Sequence, residues 1–235
     1  MRVSIAGRAG FCCGVKRAVK FAELKSSKTV SDKIKKLLIS SYDKNKQLFG
    51  RAPNKKFKIV ICNSQEEWKK ESKYYYYPWG AGTVLRDMTL VVKGQKFLKR
   101  SDRKYKTLLD HEMNHVFFGF FYKTTKPAWI LEGLASTIEG PLLENKSLKK
   151  VKWQNISYKI LQYRYLERNF QNKKDIMFMY SVWRDFILYL TGNKPKMIVR
   201  FMDSYIKNPT KANYKKLFYK FFGGTEKEKF ESFLE

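Results

Sequence analysis

The chain has 235 residues, 43% of them hydrophobic and 16% aromatic, which is not the composition of a disordered chain and suffices for one domain, or one domain with a helical extension. Its 49 Lys and Arg against 21 Asp and Glu leave a formal charge of +28, while no apolar run approaches the roughly 18 residues of a membrane span. The lysines are scattered, from Lys33-Ile34-Lys35-Lys36 to Lys215-Lys216, without zinc-finger spacing or an aromatic RNA-binding signature, so nucleic acid is not expected as the main partner.

Residues 1 to about 24 read as a short strand, a Gly10-Phe11-Cys12-Cys13-Gly14 turn and a basic helix. The stretch from Ala9 to about Leu24 resembles the start of LytB-type hydroxymethylbutenyl diphosphate reductases, in which such a segment supplies one cysteine ligand to an iron-sulfur cluster. A cluster needs further cysteines and only Cys62 remains, so that chemistry is not carried over. Three cysteines, two of them adjacent, argue against a disulfide framework. The first residues lack the apolar core of a secretory signal, and the expectation is a soluble, cytoplasmic protein.

From about Thr29 a helical pattern begins, with Ile34, Leu37, Leu38, Tyr42 and Leu48 in register and Gly50 to end it. Phe57 to Cys62 is an apolar run of strand length, followed by a helical stretch from about Glu66 to Ser72. Tyr74 to Gly82 reads as a loop that returns to strand at Thr83-Val84-Leu85; Asp87 marks a turn before a second strand, Met88 to Val92. Ser101 or Asp102 caps a helix through Tyr105, Leu109, His111, His115 and Val116 that ends near Gly119. After a loop at Lys123 to Pro127, a helix is expected from Trp129 to about Glu139. Beyond Pro141 the chain is mainly helical, with apolar spacing in Ile156 to Leu166, Ile176 to Leu190, Met197 to Ile206, Tyr214 to Phe221 and Glu226 to Leu234.

The chain has two histidines, and they stand four apart in His111-Glu112-Met113-Asn114-His115. Positions i and i+4 project from one face of a helix about one turn apart, so both imidazoles can reach one metal ion, with Glu112 beside them to act on a metal-bound water. The H-E-x-x-H pattern rarely arises by chance in a chain this poor in histidine.

Joined to Trp129-Ile130-Leu131-Glu132-Gly133-Leu134-Ala135, the motif makes the chain from about Thr29 onward resemble the gluzincin metallopeptidases of the peptidase MA-like group. The fold class this implies is α+β and zincin-like: a small N-terminal sheet packed on the H-E-x-x-H helix, then a mainly helical C-terminal part. Residues 1–28 form a segment of uncertain origin and 29–235 the metallopeptidase domain, sheet-containing to about 140 and helical from about 141. By the resemblance, His111, His115 and Glu132 hold one zinc ion per chain, leaving a fourth position for water, and Glu112 is the general base. The spacing from His115 to Glu132 is slightly shorter than in the aminopeptidase branch. Tyr180 stands where the family tends to carry a tyrosine near the oxyanion, although it also shares a core-type stripe with Trp183, Ile187 and Leu190. Glu139, seven residues after Glu132, either orients a histidine or faces water. An edge strand at Gly82 to Leu85 or at Met88 to Val92 would align an extended peptide. The expected activity is zinc-dependent hydrolysis of a peptide or protein substrate; the alternatives are a non-catalytic metal-binding scaffold and a basic polyanion-binding protein.

Overall fold

The structure, a computed structural model, describes residues 2–3, 22–26, 30–73, 80–124, 127–139, 156–161 and 173–235. It is α+β and mostly helical. The elements are β1 (Arg2–Val3), β2 (Ala22–Ser26), α1 (Asp32–Phe49), β3 (Phe57–Cys62), α2 (Gln65–Ser72), β4 (Gly82–Val84), β5 (Leu90–Lys93), α3 (Asp102–Tyr122) and α4 (Ala128–Glu139). A short 3-10 turn (Tyr158–Leu161) follows, then α5 (Lys173–Thr191), α6 (Lys196–Tyr205), α7 (Lys211–Phe222) and α8 (Glu226–Leu234). The chain forms two units, Met1–Phe121 and Tyr122–Glu235.

In the first unit, Ser31 starts α1 by accepting a hydrogen bond from the Ile34 N–H, and Gly50 ends it in the left-handed conformation at φ 69°. The buried face of α1 is Leu38, Ser41, Tyr42, Asn45 and Phe49; Ile34, Leu37 and Leu48 of the expected apolar stripe are only half-buried. The mixed sheet runs in the order β1-β2-β3-β5-β4, with β2, β3 and β5 mutually parallel and β4 antiparallel to β5. β3 and β5 are buried almost throughout, as parallel strands covered on both faces must be. On one side Tyr42, Phe57, Phe117 and Phe120 interlock, with Tyr42 and Phe117 ring centroids 5.2 Å apart. A second cluster joins Val60, Cys62, Trp68, Leu85 and Val91, which places the side chain of Cys62 in the core.

Among the boundaries that differ from expectation, three have a clear physical reason. Ala22 to Leu24, expected at the end of a basic helix, lie in a strand, because pairing from Ala22↔Phe57 to Ser26↔Ile61 overrides local preference. The second hairpin strand starts at Leu90, since Met88 takes a left-handed turn conformation at φ 65° and Asp87 Oδ1 accepts from the Thr89 N–H. α3 runs past Gly119 to Tyr122: a Cβ at Gly119 would lie 2.7 Å from Met88 Sδ, so this glycine is a close approach within the helix rather than its end. The Gly10 to Gly14 turn, Cys12, Cys13 and the stretch Tyr74 to Trp79 lie outside the described residues.

In the second unit α4 packs directly on α5. A Cβ at Gly133 would meet the Trp183 carbonyl oxygen and Ile187 Cδ1, each at 2.9 Å. Trp129 and Phe186 are 5.2 Å apart, Phe186 meets Phe230 of α8, and Trp183 Nε1 donates to the Ile160 carbonyl at 3.1 Å. Glu226, in the first turn of α8, accepts from the Tyr158 hydroxyl at 2.8 Å and from Tyr214; burial, then the Glu226 charge, push the Tyr214 phenol well above its usual value. The expected helices of this half are present, except that the described part of Ile156 to Leu166 is a 3-10 turn. Among the described residues, no helix is long and apolar enough to cross a membrane.

Because the Trp183 carbonyl facing Gly133 is backbone, it cannot move aside as the Ile187 side chain can. Gly133→Val is expected to destabilise the fold by about 1–3 kcal/mol, measured by denaturant unfolding; unchanged stability would show that α4 and α5 can separate without penalty.

Candidate metal centre

Helix α3 is amphipathic in an unusual sense. Its aromatic face, Phe117 with Phe120 and Phe121, packs on α1 and β3, while His111 and Glu112 are also buried, each 7% exposed. Ionisable groups sequestered on one helix are costly unless paired or used, and they concentrate at functional sites.

The two histidines face each other as the i, i+4 spacing requires. Their Nε2 atoms are 3.1 Å apart and the rings stand at 87° with centroids at 4.8 Å. Two nitrogens each about 2.0–2.1 Å from one zinc ion lie at most about 4.2 Å apart, so the pair fits a shared metal. The same separation suits an N–H···N hydrogen bond between neutral rings. The Glu132 carboxylate completes a group of three in which one ligand atom from each residue lies within 4.8 Å of the others. Two imidazoles and a carboxylate suit zinc, and His111, His115 and Glu132 can therefore hold a metal ion.

Glu112 follows His111 and lies against β4. A Cβ built on Gly82 would fall 2.4 Å from Glu112 Cδ and 2.6 Å from Oε1, so the carboxylate occupies the space a side chain at position 82 would need. Gly82 pairs with Val92, and among the described residues β4 pairs with β5 alone, at the end of the sheet order. Of the two candidate edge strands, the one starting at Gly82 therefore holds the edge. The sequence reading had Gly82 as the end of a loop and as the start of a candidate edge strand, but not its contact with Glu112; the available signal was a glycine at the start of a strand, a common mark of close approach.

Tyr180 lies on α5, half-buried, and stacks on Trp183 with centroids 5.8 Å apart. Glu139 is the last residue of α4, two turns or about 10 Å along the axis from Glu132. Glu139 does not belong to the group of three. No family model, curated protein or solved structure matches the chain, so the likeness to gluzincins rests on the residues themselves.

If His111, His115 and Glu132 hold a metal ion together, removal of either a histidine or the carboxylate should abolish stoichiometric binding. The purified protein is expected to hold near one zinc per chain by elemental mass spectrometry, lost in His111→Ala and in Glu132→Ala; retention in Glu132→Ala would remove that residue from the ligand set.

Proposed function

We propose that the protein is a zinc-dependent peptide-bond hydrolase of gluzincin type. The observation that carries this reading is the convergence of His111, His115 and Glu132 with Glu112 in the same buried turn of α3. The described residues fit a zinc ion, which when bound lowers the pKa of its water to about 7 and polarises a substrate carbonyl. His111 and His115 would bind it through Nε2 as neutral rings, and Glu132 through a carboxylate oxygen. Glu112 would accept a proton from the attacking water on its carboxylate and deliver it to the leaving amine nitrogen, so that the C–N bond breaks with a neutral amine departing. The protein walls around Glu112 exclude bulk water and fix its carboxylate against Gly82.

The edge position of β4 supports an extended peptide as substrate. Such a peptide would add to β4 as a further strand by main-chain hydrogen bonds, passing Gly82 and hence Glu112. The strongly basic surface, at +28, favours acidic substrates over basic ones through long-range attraction. Tyr180 is a weaker candidate for the oxyanion, given its stacking on Trp183.

Two substitutions test this without touching the ligands. Glu112→Gln should keep the zinc and lower kcat by about 10²–10⁴-fold on a peptide library. A parent that binds zinc yet cleaves nothing in that library would favour the metal-binding scaffold instead. Gly82→Ala should leave the zinc content unchanged and lower kcat at least about tenfold, because a misplaced base is inefficient; equal kcat would show that Glu112 yields freely to a methyl group.

A further inference from the structure

Helix α7 is fastened to α6 through its apolar face. Phe201 of α6 meets the rings of Tyr214, Phe218 and Phe222 at centroid distances of 5.4, 6.0 and 5.5 Å, and Phe218 and Phe222 are buried. Thr210 Oγ1 accepts from the Asn213 N–H to start the helix, and Gly223 ends it in the left-handed conformation at φ 71°. The helix is thus capped at both ends and anchored along one side, which fixes what its outer face presents.

That face carries Lys211, Lys215, Lys216 and Lys220, all exposed, around Tyr219, which is 61% exposed. Lys215 and Lys216 lie one turn before the tyrosine, and Lys220 directly follows it. Residues 206–225 contain no acidic side chain. Other helices pair lysines with carboxylates three or four residues away, as Asp32 with Lys35, Lys106 with Asp110 and Lys227 with Glu231. In α7 the i, i+4 neighbours are Lys211 with Lys215 and Lys216 with Lys220, so like charges face each other at a cost to the helix. Its first turn likewise holds Lys211 and no acid, against the helix dipole, whereas α8 opens with Glu226 and Glu228. A polyanion laid along α7 relieves both costs, and its condensed counterions are released as the lysines replace them.

Tyr219 narrows the class of polyanion. Among the described residues its ring packs on no other ring, so a π-face stands among four cations. Unpaired bases stack on such a ring while the neighbouring lysines hold their phosphates. An anionic membrane takes up a helix through an apolar face, and the apolar face of α7 is turned onto Phe201 instead.

We propose that the outer face of α7 is a binding surface for single-stranded nucleic acid, its lysines contacting phosphates and Tyr219 stacking on a base. This goes beyond the hydrolase reading and does not depend on a bound metal.

The test uses the full chain and a fluorescently labelled oligothymidylate of about 12 nucleotides, with Kd read by anisotropy over a salt series. The variants are Lys215→Gln/Lys216→Gln/Lys220→Gln, Tyr219→Ala, and a control, Lys55→Gln/Lys56→Gln/Lys58→Gln, which removes the same charge from exposed positions elsewhere. All of these side chains are exposed, so the variants keep their fold, as circular dichroism would verify. The α7 triple variant should bind about tenfold or more weakly near 0.1 M salt and lower the slope of log affinity against log salt by about 2. Tyr219→Ala should bind about fivefold or more weakly with its slope unchanged. The control should stay within about threefold of the parent. Polyglutamate, a polyanion without bases, should bind the parent more weakly than the oligonucleotide and be indifferent to Tyr219→Ala. Equal losses in the two triple variants, or a Tyr219→Ala affinity within about twofold of the parent, would overturn the proposal. So would a parent that binds no oligothymidylate, whether or not it binds phosphatidylserine vesicles through these lysines.

Discussion

Asn45 engages both its amide protons and its oxygen between two helices: the protons go to carbonyls, one of them on α3, and the oxygen accepts from Asn114. Each such buried bond is worth only about 0.5–1.5 kcal/mol net, but leaving one unmade costs more than making it gains. The penalty is what makes the network specific. An α3 rotated by one side-chain position would strand several buried polar groups at once, so the fold admits one rotation of this helix.

The first unit is arranged around that choice. With the aromatic face of α3 against α1 and β3, the neighbouring stripe must carry His111, Glu112 and His115, and β4 must approach Glu112 as bare backbone. The second unit solves a similar problem by steric means. Glu132 precedes Gly133, whose missing side chain lets α4 lie against the backbone of α5 at Trp183, and Trp129 wedges on Phe186. In both units a residue beside a member of the candidate metal group makes the helix contact: Asn114 before His115, and Gly133 after Glu132.

The surface tells a different story. Among the described residues the lysines are mostly solvated, and Lys44 and Lys106 neutralise the buried Asp110, while Lys93 lies over the rings of Trp68 and Phe97. Pairing two cations with a single buried carboxylate keeps Asp110 from standing as an isolated charge beside the histidines. The positive charge outside α7 sets a long-range field without itself defining a site.

Local signals carried much of this protein in its sequence. Helical period, strand-length apolar runs and Gly50 placed α1, β3, α4 and most of the C-terminal helices, because each depends on neighbours a few residues away. The i, i+4 histidines were legible for the same reason: one helical turn suffices to bring their Nε2 atoms to 3.1 Å. Position along the chain could not show that Gly82 abuts Glu112, that β4 is the edge, that Ala22 to Ser26 is strand rather than helix, or that Ser41 and Asn45 belong to the buried face of α1. Each of these depends on a partner at least 30 residues away or on the absence of a side chain, and a buried asparagine looks polar to any hydrophobic pattern until its partners are in place.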